Sequence, residues 1–216
     1  MVINFAVLGD SIAYGQGASR PADTVTARLS VDLTAAELPH RARVFAVPGA
    51  RSADLAAQVA TALPWSPDLA LIIIGANDLT RFVPPADAAD QLGAAVRALR
   101  AAGAEVIVAP APDLSVVPWV PVEMRGAVRA ASALLHDAQS RAAVAEGAHV
   151  ADIGMSSAAG FARDRSLFSA DRFHPSSAGY AVIAGALTAT VRDVARNLAG
   201  APPATLTTHR RTSGAR

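Results

Sequence analysis

"FAVLGDSIAYGQG", residues 5–17, carries the deciding pattern: four consecutive apolar residues run into Gly9-Asp10-Ser11 with no polar alternation between them. A strand that is apolar on both faces belongs to a parallel sheet covered by helices, because a solvent-facing strand alternates with period two. Such runs recur, so that residues 2–8, 43–47, 69–74, 104–109 and 148–153 read as five strands. Amphipathic stretches at 21–38, 52–62, 86–102, 121–146 and 176–198 read as helices between and after them. Strand alternating with helix throughout predicts βαβ units and an α/β/α sandwich of three layers.

The breaks agree with this reading. Pro39, Pro64, Gly103 and Gly147 stand where helices should stop, while Pro21 and Pro121 stand where they should start. Right-handed crossovers then bring every strand's C-terminal end to one edge of the sheet, the edge at which open α/β sheets bind ligands. Chemistry is expected there.

Composition narrows what that chemistry can be. The 216 residues are 52% hydrophobic and 17% charged, enough for one domain with a substantial core. A formal net charge of +1 gives no concentrated basic face, so neither nucleic acid nor an anionic membrane surface is an expected partner. Cysteine is absent, which excludes disulfides, thiolate nucleophiles and cysteine-ligated zinc. Every basic residue other than histidine is arginine, and without lysine there is no P-loop and no Schiff base. The histidines show no metal-ligand spacing, so no metal and no cofactor are expected.

No apolar stretch approaches the ~20 residues that span a bilayer. Met1 runs directly into the first strand with no basic leader, which reads as a cytoplasmic protein. Residues 200–216, with paired prolines and no apolar periodicity, read as a disordered tail, leaving 1–199 as the domain.

A serine at the functional edge becomes a nucleophile only with a base in reach and a third group that fixes the base's tautomer. His40 and His136 fall in or near predicted helices, His149 opens a strand and His209 lies in the tail, leaving His174 in "DRFHPSSAGY". Asp171 precedes it by three residues, a spacing at which one turn of chain brings the carboxylate to Nδ1 while Nε2 faces outward. Acyl transfer also needs donors for a developing oxyanion. Candidates are Gly49 in "FAVPGARSADL" and Asn77 in "LIIIGANDLT". Singly, each residue has a plain alternative: Ser11 a turn or cap, Gly49 a turn glycine, Asn77 an Asx turn, and Asp171 with His174 a capped loop.

Four strand ends delivering Ser, Gly, Asn and Asp-x-x-His in that order resemble the SGNH or GDSL hydrolase family, across residues 5–180. The resemblance implies a flavodoxin-like sheet in the order 2-1-3-4-5. It implies Ser11 as nucleophile and first oxyanion donor through its own N–H, Gly49 and Asn77 as further donors, Asp171 as orienting acid and His174 as general base. The activity implied is hydrolysis of carboxylic esters, with short- to medium-chain acyl groups or acetylated carbohydrates, through an acyl-enzyme on Ser11. An acyltransferase or thioesterase would use the same residues, and a non-catalytic ligand-binding protein is the reading from another class. Ile12 replaces the leucine of Gly-Asp-Ser-Leu, and Gly49 lacks the usual Asn-rich flank. No Gly-x-Ser-x-Gly elbow occurs, which disfavours the α/β-hydrolase fold.

Substrate contacts are expected from Asp10 and from the proline-stiffened segment "APAPDLSVVPWVP", 109–121, through Val116, Val117 and Trp119. A second expected loop, 155–170, carries Met155, Phe161, Leu167 and Phe168 ahead of the Asp171 turn.

Overall fold

Five parallel strands lie in the order β2-β1-β3-β4-β5 in the computed structural model, which describes residues 1–200. They are β1 (Ile3–Gly9), β2 (His40–Val44), β3 (Leu69–Ile73), β4 (Glu105–Ala109) and β5 (His149–Val150). Phe5 pairs with Leu69 and Gly9 with Ile73, while Ile73 pairs in turn with Ala109, so the ends of the three central strands are level. The expected tail falls outside the described residues apart from Gly200.

Among the described residues eight α-helices connect or follow the strands: α1 (Ser11–Tyr14), α2 (Val25–Ala35), α3 (Leu55–Ala62), α4 (Ala76–Thr80), α5 (Pro85–Ala101), α6 (Arg125–Ala145), α7 (Ile153–Arg163) and α8 (Ser177–Ala199). Alternate residues of β1 enter different layers. Ile3, Phe5 and Val7 pack with Leu29 and Leu33 of α2 and with Ile183, Leu187 and Val191 of α8. Ala6 and Leu8 pack with Leu55 and Val59 of α3 and with Leu92, Val96 and Leu99 of α5. Both faces are dry, which is why these strands read as unbroken apolar runs.

The edge strands depart from the sequence reading. β2 occupies 40–44 instead of 43–47, and His40 is its first residue, not part of a helix. Arg41 and Arg43 are exposed on it, since an edge strand needs no apolar run and its charges discourage pairing with another chain. The apolar residues taken for the strand continue its line: Phe45 N–H donates to the Val7 carbonyl and Val47 N–H to that of Gly9. β5 shrinks to two residues because the chain turns into α7 at Ile153.

The expected loop 155–170 is instead α7 followed by a 3-10 turn at Arg165–Leu167. Helices predicted from 21, 52 and 121 each begin with a 3-10 turn, at Pro21–Asp23, Ser52–Asp54 and Val122–Met124. Among the described residues no helix is long and apolar enough to cross a membrane.

Candidate active site

Gly9 ends β1 with φ of 131°, and a Cβ there would lie 1.8 Å from the Ile73 carbonyl oxygen, so only glycine lets the chain leave the sheet at this point. Its peptide groups are met by one side chain: Gln58 Oε1 accepts from Gly9 N–H and Gln58 Nε2 donates to the Gly9 carbonyl, both at 2.8 Å. Gln58 is 4% exposed and fixes the last residue before the Asp10-Ser11 turn.

Asp10 caps α1 by accepting from Ile12 N–H at 2.9 Å through Oδ1, which starts the helix with Ser11 as its first residue. The carboxyl is 1% exposed, and Oδ2 has no hydrogen-bond partner among the described residues. Burial pushes it up to about 7, against the pull of the Ile12 N–H and with a further push from the Asp78 charge. Asp10, expected to contact substrate, thus caps α1 beneath the turn with its carboxyl buried.

His174 and Asp171 form a close pair, with Asp171 Oδ2 2.6 Å from His174 Nδ1. Asp171 Oδ1 accepts from the Ser169 hydroxyl at 2.8 Å and from the Phe173 and His174 backbone N–H groups at 2.9 Å each. Burial opposes its charge, but the imidazole and these donors outweigh that and hold the carboxyl well below its usual range. The carboxylate leaves His174 Nδ1 in the donor role, so Nε2 is the nitrogen available as a base.

Three contacts bring this pair to the Ser11 turn. A Cβ on Gly17, whose φ is 95°, would lie 2.5 Å from the Pro175 carbonyl oxygen and 3.0 Å from His174 Cβ. The Tyr180 hydroxyl donates to the Gln16 carbonyl at 2.8 Å and to that of Ser11 at 3.4 Å. A small apolar pocket is lined by both Ile12 and the His174 neighbours Phe173 and Pro175. No hydrogen bond joins the Ser11 hydroxyl to the His174 ring among the described residues; such contacts commonly tighten only with substrate seated.

Asn77 and the Gly49 loop are tied to each other. Asn77 Nδ2 donates to the Ala50 carbonyl at 3.0 Å, which leaves its second N–H for a ligand. The Ser52 N–H and hydroxyl both donate to the Asp78 carboxylate at 3.1 Å, and Gln139 Nε2 donates to the Ser52 hydroxyl at 3.3 Å. Burial raises the Asp78 carboxyl while the Ser52 donors pull it back. At Gly49 the requirement is conformational: φ is 82° and a Cβ would meet nothing within 4 Å.

Val116 and Val117 line the small pocket. Trp119, 54% exposed, does not; its ring packs on Phe173 at 5.4 Å, and Phe173 in turn stands edge-on to the His174 ring at 4.9 Å. Arg51 is committed to Asp54. Among the described residues no group of three or more His, Asp and Glu is placed to hold a metal ion.

Gln58, Ser52, Gln139, Tyr180 and Gly17 support the site and were not singled out from sequence. A glutamine on an otherwise apolar helix face is the one signal that could have found Gln58 and Gln139.

Residues 7–182 match the family model described as the GDSL-like lipase/acylhydrolase family. The GDSL-like esterase Rv1075c of Mycobacterium tuberculosis is 35% identical over 196 residues, which cover 88% of this chain and 62% of that protein. The chain thus spans about three fifths of the length of that curated relative. Among solved structures, the psychrotrophic esterase EstA from Pseudoalteromonas sp. superposes with a TM-score of 0.70 at 19% identity, covering 88% of this chain and 97% of its own. Axe2, an acetylxylan esterase from Geobacillus stearothermophilus, gives 0.68 at 20% identity, covering 89% and 94%. Both share the fold. With the family model spanning the chain from β1 into α8, the chain belongs to the GDSL-like lipase/acylhydrolase family.

Proposed function

We propose that the chain hydrolyses carboxylic esters of short acyl chain through an acyl-enzyme on Ser11. The observation that carries this reading is the 2.6 Å Asp171–His174 pair, packed against the glycine loop of the Ser11 turn beside a small apolar pocket. His174 Nε2 takes the Ser11 proton as the hydroxyl attacks the ester carbonyl, and the Asp171 carboxylate stabilises the imidazolium that forms. The Ser11 N–H, the Gly49 N–H and the free N–H of the Asn77 amide hold the oxyanion. His174 then protonates the leaving alcohol, and water activated by the same nitrogen releases the acid.

The size of the acyl group follows from the pocket, which measures about 60 Å³. A dry cavity of ~150 Å³ takes a benzene, so this one suits two or three carbons. Acetyl and propanoyl esters are therefore the favoured substrates, toward the short end of the range expected from sequence. The names of the relatives, an esterase in the curated case and esterases among those similar in fold, support the same class.

The test is a panel of p-nitrophenyl esters, acetylated sugars and acyl thioesters on wild type and on Ser11→Ala, with folding checked by circular dichroism. Added alcohols distinguish transfer from hydrolysis. Labelling of wild type, but not of the variant, by a fluorophosphonate supports the reading; equal turnover by the two proteins refutes it.

A further inference from the structure

The small apolar pocket does not end in solid core. Beside it lies a cleft of about 600 Å³ between α6 and α7, lined by residues that include Ser132, Ala133 and His136 of α6 with Ala159 and Ala162 of α7. That volume is typical of a site for a drug-sized molecule. Among the described residues, three line both spaces: Asp113, Val116 and Ala158.

Of these three, Val116 has the side chain whose size can set the passage. Asp113 is committed, its Oδ1 accepting from Ser115 N–H at 2.9 Å and its Oδ2 lying 3.4 Å from Arg129 Nε. Ala158 already carries a single methyl. The segment that bears Val116 is fixed as well: Leu114 N–H donates to the Ser132 hydroxyl at 3.2 Å, and Val117 N–H closes the 3-10 turn on the Leu114 carbonyl at 3.2 Å. Val117, behind it, is 4% exposed and packed into the core. Val116 thus lines the same small pocket as Ile12, the residue after Ser11, on a segment held in place from α6.

We propose that Val116 is the specificity-determining partition of this enzyme, confining the acyl group to the small pocket and keeping longer chains out of the α6–α7 cleft. The proposal rests on the ester-hydrolase reading above. Val116→Ala removes the wall and joins the two spaces, so chains longer than the pocket gain a buried path. Each methylene admitted is worth about fourfold in kcat/KM, the ~0.8 kcal/mol of a buried CH₂ converted to a rate ratio. From butanoate to octanoate the gain relative to acetate is on the order of 100-fold. Val116→Leu acts oppositely, adding a methylene to the wall and depressing propanoate relative to acetate several-fold.

The experiment measures kcat/KM for p-nitrophenyl acetate, propanoate, butanoate, hexanoate and octanoate with wild type, Val116→Ala and Val116→Leu, each with a thermal melt. Opposite shifts of the chain-length profile in the two variants support the partition. An unchanged profile in both overturns it, as does a wild type that already turns over octanoate as fast as acetate. Should Val116→Ala fail to fold, Val116→Leu decides alone: a steeper fall supports the partition and a parallel one overturns it. A wild type inert toward every ester and unlabelled by fluorophosphonate removes the hydrolase reading and the partition together, an outcome distinct from an active enzyme with an unshifted profile.

Discussion

Asp10→Asn separates the capping role of this side chain from its charge. The carboxyl is 1% exposed and is pushed up to about 7 from an ordinary value of 3.8, first by burial and then by the Asp78 charge, against the Ile12 N–H. Because the folded value lies above the unfolded one, both states hold the proton below pH ~4 and the group exerts no pH-dependent effect there. Between pH ~4 and ~7 the unfolded chain releases its proton while the folded chain keeps it, so stability falls as pH rises. The slope is about 1.4 kcal/mol per unit, and the fall totals up to about 4 kcal/mol before levelling off above ~7.

Asparagine retains an oxygen for Ile12 N–H but cannot ionise. Its amide nitrogen takes the place of an oxygen that already lacks a partner, at a pH-independent cost of roughly 1–3 kcal/mol. Urea unfolding followed by the fluorescence of Trp65 and Trp119 at pH 4, 6 and 8 should therefore show the variant gaining on wild type by up to about 4 kcal/mol across that range. A difference that stays constant within about 0.5 kcal/mol would mean that Asp10 is not protonated in the native core, and the argument from its burial would fail.

Asp171→Asn should lower kcat by about 10³- to 10⁴-fold on p-nitrophenyl acetate with KM nearly unchanged, since the amide favours the wrong imidazole tautomer; a loss under tenfold counts against the pair. Gly17→Ala places a methyl 3.0 Å from His174 Cβ at a φ of 95°, so kcat should drop more than KM rises, and wild-type kinetics would contradict the packing. Gln58→Leu leaves the buried Gly9 N–H unpaired and should cost roughly 1–3 kcal/mol in urea unfolding, with a parallel loss of kcat. Full stability in that variant would show that Gly9 finds another partner.

The interior of the fold was legible because burial imposes a pattern: β1, β3 and β4 are covered on both faces, and Phe5–Leu8, Leu69–Ile73 and Val106–Ala109 within them are apolar without interruption. At the edges that logic stops. His40–Val44 pairs along one side only, and its composition of His, Arg, Ala, Arg and Val gives no strand signal. α7 falls where the sequence reading expects a loop, since Gly154, Ser156, Ser157 and Gly160 have weak intrinsic helix propensity, and it packs against α8. The residues proposed for the site are conspicuous in sequence since each sits at a strand end or in a short motif, with Asp171 and His174 three residues apart. Their supports are not, because Gln58 reaches Gly9 across 49 positions and Gln139 reaches Ser52 across 87. No local window contains both partners.

The Tyr180 hydroxyl links the backbone at positions 11 and 16 to α8 across separations of 169 and 164 residues. In the order of translation the Ser11 turn therefore leaves the ribosome long before the helix that is bonded to it. Neither bond can form until α8 has emerged and docked, so the backbone of that turn reaches its final restraint only late in folding.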